Sequence, residues 1–446
     1  MTDATFKTAE ARPERQASVG PTLRQMTVLW LPLAASSVMM VLEPSIINIG
    51  LGRTPDPELA LAAYGVAFSL ALLVEAPILM LIDASVARST DLQAFRLIRR
   101  FTLILGLIVT AIGLAVSCTP LYGLIVEDLM NIPADVAAWG RPTLQILSFW
   151  PLPIAWRRTY QGLLIRAGRT AMITIATGVR LVVLAIGLIG GLILLPRGGA
   201  VVAGLAMDLS VVVEAVLVTW ATRPVLRAEP FRSGSAGGTS PPPTMGELWR
   251  FYQPLAVSTL LRQVTRPVLN AGIAAAEMAR ASLAAWPVAW GLTILIAGPA
   301  WSLQQLTTAL VDDEAAYRRV RNFSMSLSLF FSLLLGVVAF TPLYGLVMGG
   351  VYNLSPELQE VARPATQLMV LYPLLMGAQS VLRGVLIRGG CTGAVRTAMT
   401  AHVVALLGTV VAGVVFLPYS GAVVAAIAVM VGALVELAWL YWRRRC

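Results

Sequence analysis

Apolar residues fill long stretches near residues 27–50, 59–83, 98–126, 138–165, 171–195 and 199–222, separated by short clusters of proline, glycine and charge. A bilayer-spanning helix takes about 20 apolar residues, so each stretch is long enough to cross. A polar, turn-rich segment follows at 232–243 (RSGSAGGTSPPP), too hydrophilic to span anything. Six more apolar stretches come after it, near 248–272, 281–310, 320–347, 360–388, 393–416 and 420–442. The pattern predicts an all-α integral membrane protein of twelve transmembrane helices with no sizeable soluble domain.

The two sets of six are copies. Thr119-Pro-Leu-Tyr-Gly-Leu124 returns as Thr341-Pro-Leu-Tyr-Gly-Leu346, an offset of 222 residues. At that offset Arg141-Pro142 meets Arg363-Pro364, Gln145 meets Gln367, Gly162 and Arg166 meet Gly384 and Arg388, and Glu214 meets Glu436. Pro32, Asn48 and Pro77 meet Pro254, Asn270 and Pro299. Because six is even, each repeat begins and ends on one side of the membrane, so the halves are parallel and related by an axis along the membrane normal. The implied plan is an N-terminal tail 1–26, a first lobe 27–226, a linker 227–247, a second lobe 248–443 and a basic end 444–446.

Composition narrows the chemistry. Of 446 residues, 57% are hydrophobic and 13% charged, and the mean hydropathy is +0.77. Lys7 is the only lysine and His402 the only histidine. A lysine-based phosphate loop, a histidine-rich zinc site and a Ser-His-Asp hydrolase are therefore hard to build. No cofactor or metal is expected, only a proton or sodium ion for coupling, and the arginine- and turn-rich loops argue against an enzyme. Cys118 and Cys391 read as small apolar residues inside helices.

The net charge of +10 comes almost wholly from arginine. Arg88, Arg96, Arg99, Arg157, Arg166, Arg223, Arg318, Arg383 and Arg396 fall in one set of loops, and Asp56, Glu58, Glu127, Asp128, Glu277 and Glu357 in the other. The positive-inside rule then places both termini and the linker in the cytoplasm, in a plasma (inner) membrane, and removes nucleic acid as a partner. The expected partners are the bilayer and a small, anionic substrate, and the chain is expected to act as a monomer.

Charged residues within spans cost about 2.5 to 3.5 kcal/mol each on insertion scales, so each asks for a partner or a role. Arg262, Arg266 and Asn270 recur at every fourth residue of span 7 and so share one helix face. Two guanidinium groups suit a carboxylate or phosphate ligand, and Asn270 with its counterpart Asn48 completes a candidate substrate site. A structural alternative pairs Arg262 and Arg266 with Glu43 or Asp208. Glu43 precedes Pro44, which frees a backbone carbonyl in span 1. Asp208 has the apolar counterpart Met430, and His402 is the counterpart of Arg180. Glu43, Asp208 and His402 are the candidate coupling residues. Glu214 and Glu436 read as partners of nearby arginines, and the arginine-rich ends of spans 4 and 10 as topology anchors.

Two parallel six-helix repeats with prolines in spans 1, 2, 7 and 8 resemble the superfamily of multidrug and toxic compound extrusion (MATE) transporters and lipid-linked oligosaccharide flippases. Leu31-Pro-Leu33, Phe149-Trp-Pro-Leu152, Gln161-Gly-Leu-Leu-Ile-Arg166 and the basic span 7 resemble, within it, the progressive ankylosis family and its bacterial relatives. The resemblance implies a V-shaped pair of bundles that alternate access around a central cavity, with export of anions such as citrate, pyrophosphate or nucleotides. Drug-exporting relatives use carboxylates for cations, and flippases carry lipid-linked precursors. Both remain as alternatives.

Overall fold

The computed structural model describes residues 21–167, 169–228, 231, 244–311, 313–388, 391–416 and 418–443. The tail to residue 20, the segment 232–243 and the end 444–446 lie outside the described residues. The first repeat folds as α1 (Leu23–Leu51), α2 (Pro57–Glu75), α3 (Leu81–Arg88), α4 (Leu92–Cys118), α5 (Ala134–Leu147), α6 (Pro151–Arg166), α7 (Thr170–Leu194) and α8 (Gly199–Ala221). The second folds as α9 (Met245–Gln263), α10 (Thr265–Ala275), α11 (Ala279–Ala297), α12 (Leu303–Leu310), α13 (Glu314–Phe340), α14 (Pro356–Leu368), α15 (Tyr372–Arg388), α16 (Thr392–Phe416) and α17 (Gly421–Arg443). The boundaries of α2, α3, α4, α7 and α8 reappear in α11, α12, α13, α16 and α17 at the offset of the sequence repeat.

Repeated residues explain repeated boundaries. Asp91 and Asp313 cap α4 and α13, accepting hydrogen bonds from first-turn backbone N–H groups that have no partner inside the helix. At the other end Thr119 is extended, and its hydroxyl donates to the Ala115 carbonyl at 2.6 Å. Arg141 lies over the buried Tyr122 ring and donates to the carbonyls of Ser117, Cys118 and Thr119, which the helix leaves unpaired. Thr341, Tyr344 and Arg363 repeat this at the end of α13. Asn131 and Asn353, at φ 51° and 57°, turn the chain through the left-handed region that asparagine tolerates.

Among the described residues, ten helices are long and apolar enough to cross a membrane. The two other expected spans are each cut into two helices. One is α5 with α6, interrupted at 148–150, and the other α9 with α10, interrupted at Val264. Pro267 lacks the N–H that would bond the Gln263 carbonyl, and its ring crowds that carbonyl, which accounts for the interruption. Cys118 is the last residue of α4, on an exposed face, whereas Cys391 precedes α16 and so is not inside a helix as expected.

Two compact units form, Met1–Ser45 with Val288–Cys446, and Ile46–Pro287. They divide the chain differently from the repeat boundary near 227–247, because the first helix of each repeat packs with the other repeat's helices. In the first unit Met26 and Val41 of α1 join a core with Ala297, Leu303, Leu306 and Val320, and Trp30 donates to the Pro299 carbonyl at 3.4 Å. In the second, Tyr252 of α9 stacks edge-on against Phe101, and its hydroxyl donates to the Pro77 carbonyl. Trp30 and Tyr252 are counterparts in the repeat, as are Pro299 and Pro77.

Candidate functional site

Each unit holds a buried carboxylate in a polar cluster, Glu214 in one and Glu436 in the other. In the unit of residues 46–287, Glu214 on α8 has a side chain with no exposed surface. Its Oε1 accepts from Gln161 Nε2 at 3.1 Å and Thr177 Oγ1 at 3.0 Å. Its Oε2 pairs with Arg157 of α6 and lies 3.1 Å from Nε of Arg180 on α7. Two guanidinium groups thus flank one carboxylate, which compensates the cost of burying it.

The other unit holds the counterpart, with two exchanges. Glu436 on α17 pairs with Arg383 of α15 through Oε1, Nε being 2.8 Å away, and its Oε2 lies 3.0 Å from Nδ1 of His402 on α16. Gln379 donates to the Ala433 carbonyl at 2.7 Å and accepts from Arg383 at 3.4 Å. Arg157 and Gln161 of the first repeat correspond to Gln379 and Arg383 of the second, so arginine and glutamine trade places one helical turn apart. Each carboxylate keeps one guanidinium on that helix. The second partner, Arg180, becomes His402.

Arg157 and Arg383 are therefore not the topology anchors the sequence suggested. They lie within α6 and α15, 11% and 18% exposed at the side chain, and hold buried carboxylates. The reciprocal Arg/Gln exchange at the repeat offset was the available signal.

The expected substrate residues are distributed less simply. The Arg262 side chain lies outside the described residues. Arg266 stands exposed on α10, beyond the interruption at Val264. Asn270 is buried and donates to Ser69 Oγ at 2.9 Å and the Gly65 carbonyl at 3.4 Å, and Asn48 is buried and donates to the Pro287 carbonyl at 3.0 Å. Both amides thus bind chain partners. Gly65 and Pro287 are themselves counterparts in the repeat.

Of the coupling candidates, Glu43 is buried on α1, in the unit that also holds His402. Asp208 lines a lateral groove of about 820 Å³ between α4, α6 and α8, among Leu103, Trp156, Leu209 and Val212. Its Oδ1 is buried without a hydrogen-bond partner, and among the described residues Asp208 forms no ion pair. The alternative pairing of Asp208 with Arg266 is not formed, because its helix face opens on that apolar groove.

A further charged cluster escaped the sequence reading. Arg280, at the start of α11, meets Asp135 at 3.0 Å, Glu58 at 3.2 Å and Asp56 at 3.4 Å. The repeat offset pairs it with Glu58.

Comparison with known proteins places the fold. No family model matches the chain, and no curated protein matches it. Solved structures do. One is an inward-facing multidrug resistance MATE family transporter of the MOP superfamily, 17% identical over 94% of this chain and 98% of that one, with a TM-score of 0.74. The lipid II flippase MurJ in an inward closed conformation is 13% identical over 92% and 87%, TM-score 0.70. A MOP superfamily transporter from Pyrococcus furiosus, described as having a binding pocket of reverse polarity, is 16% identical over 96% and 99%, TM-score 0.64. The chain has the fold of these transporters.

Proposed function

We propose that the chain is a secondary transporter that exports small organic or phosphate-bearing anions by alternating access, in the plasma membrane with both termini cytoplasmic. The shared fold supports the transport mechanism, since proteins of this fold are described as transporters and a flippase. For the substrate, the carrying observation is Arg266, exposed on α10 where the first repeat has Pro44. Guanidinium presents a rigid fork that matches carboxylate and phosphate oxygens. The sequence segments that resemble the progressive ankylosis family favour the same substrate class, and a binding pocket of reverse polarity is described for the Pyrococcus furiosus protein.

Uptake of radiolabelled citrate and pyrophosphate into proteoliposomes tests this reading, with a permanently charged organic cation as the competitor. Anion uptake is expected, and Arg266→Ala should lower its rate about 10- to 100-fold, the value of one charge-assisted hydrogen bond. Cation uptake without anion uptake would sink the proposal. Flipping of a lipid-linked pyrophosphate is the second reading, favoured by the likeness to the lipid II flippase. The same guanidinium would then hold the head group.

A further inference from the structure

The two carboxylate clusters differ in one electrical respect. Around Glu214 the partners are Arg157 and Arg180, both permanently charged at any physiological pH, so these three side chains sum to one positive charge. Around Glu436 they are Arg383 and His402. With the imidazole neutral the sum is zero. With it protonated the sum is one positive charge, as in the first repeat.

We propose that His402, with Glu436 and Arg383, is a proton-binding site of the second repeat, and that its protonation resets the packing of α16 against α17. The carboxylate only accepts hydrogen bonds, so Nδ1, 3.0 Å from Glu436 Oε2, carries a hydrogen in both states. The exchanging proton is the one on Nε2. It adds to the ring from water and leaves to water, changing the cluster by one charge and no other bond.

The surroundings fit this chemistry. A Cβ at position 432 would lie 3.2 Å from Nε2, so Gly432 leaves the second nitrogen the space that a side chain there would take. The His402 side chain is 19% exposed, whereas its counterpart Arg180 is 9% exposed. Among the described residues, Glu436 from α17 meets the imidazole, and Arg383 from α15 meets the same carboxylate. Tyr372, also on α15, is partly buried. One carboxylate between one fixed cation and one titratable base switches between two charge states without leaving a buried anion unpaired.

As a coupling site the cluster rests on the transport reading above, yet neither measurement below needs a substrate, so a wrong substrate class leaves both unchanged. His402 is the only histidine, so isotope-labelled histidine in the full chain, reconstituted in lipid nanodiscs, reports this site alone. Its ring resonances should move as the pH is lowered and the ring takes up a proton. Amide hydrogen exchange of α16 and α17, corrected for intrinsic rates, should change in step. His402→Arg should hold exchange at the low-pH pattern and His402→Gln at the high-pH pattern, both with loss of pH dependence. A ring resonance that does not move overturns the site, and so does a titrating ring with unchanged exchange. Exchange that follows pH equally in both variants overturns it too. If His402→Arg does not fold, the wild-type titration and His402→Gln still decide.

Discussion

Arg280 and Glu58 hold equivalent positions in the two repeats and form an ion pair with each other, Nε to Oε1 at 3.2 Å. Gly65 and Pro287, also counterparts, meet as well: a Cβ on the glycine would lie 3.0 Å from the proline ring. The symmetry is broken in charge at the first pair, since Asp56 and Asp135 also face residue 280.

That asymmetry makes a charge swap informative. Exposed ion pairs contribute about 0.2 to 1 kcal/mol, and Arg280, 42% exposed at its side chain, belongs in that range after solvent screening. Arg280→Glu should lower the melting temperature in detergent, because three carboxylates would then face a fourth. Adding Glu58→Arg should recover less than half of the loss, since Asp56 and Asp135 still face a glutamate. Full recovery would show that the Glu58 pair acts alone.

The repeat, the spans and the acidic and basic loop faces could be read from the chain because hydropathy and a constant offset survive without coordinates. The pairing of helices could not. Trp30 bonds Pro299 and Tyr252 bonds Pro77, so α1 and α9 each pack with the other repeat, and no sequence period encodes which neighbour a helix selects. Glu214 and Glu436 were recognisable as partners of arginines, whereas Arg157 and Arg383, near helix ends rich in arginine, resembled surface anchors. Asp208 was identified as unusual by its counterpart Met430, but its placement on an apolar groove depends on the rotation of α8.

Asp208 yields the second prediction. The second repeat packs the same helix with methionine at this position, so the fold does not require a carboxylate there. Asp208→Met should raise the melting temperature by removing a polar atom that has no hydrogen-bond partner, a burial cost of about 1 to 3 kcal/mol. A melting temperature that falls would mean that Asp208 has a stabilising ligand in the membrane.

The cap of α4 has a defined pH signature. The Ala94 backbone N–H, with the Thr90 hydroxyl and the Gln93 N–H, holds the Asp91 carboxyl below its ordinary range. A depressed carboxylate contributes stability above its unfolded value of about 3.9 and loses it as pH falls through the lower folded value. Asp91→Ala should cost about 1 kcal/mol at neutral pH and progressively less in acid, while Asp91→Asn, which can still accept, should cost less throughout. Thermal unfolding at neutral and acidic pH checks this; an Asp91→Ala cost that does not shrink in acid would mean the charged cap is not its source.

The paired clusters permit an internal control. Glu214→Gln leaves Arg157 and Arg180 buried beside a neutral amide, and removing one member of a buried pair costs about 3 to 5 kcal/mol. Both guanidinium groups stay charged, so that cost should be flat between about pH 8 and 5. Glu436→Gln leaves Arg383 and an imidazole that can shed its charge. At the alkaline end only one cation is uncompensated, and the cost should fall below that of Glu214→Gln. As pH drops, the wild type gains from binding a proton beside a carboxylate and the variant does not, so the difference between them grows. Unfolding curves of the two variants across that range should therefore diverge at high pH and approach each other at low pH. Parallel curves would mean that His402 keeps one charge state in the folded chain, and that the exchange of Arg180 for histidine has no electrostatic consequence.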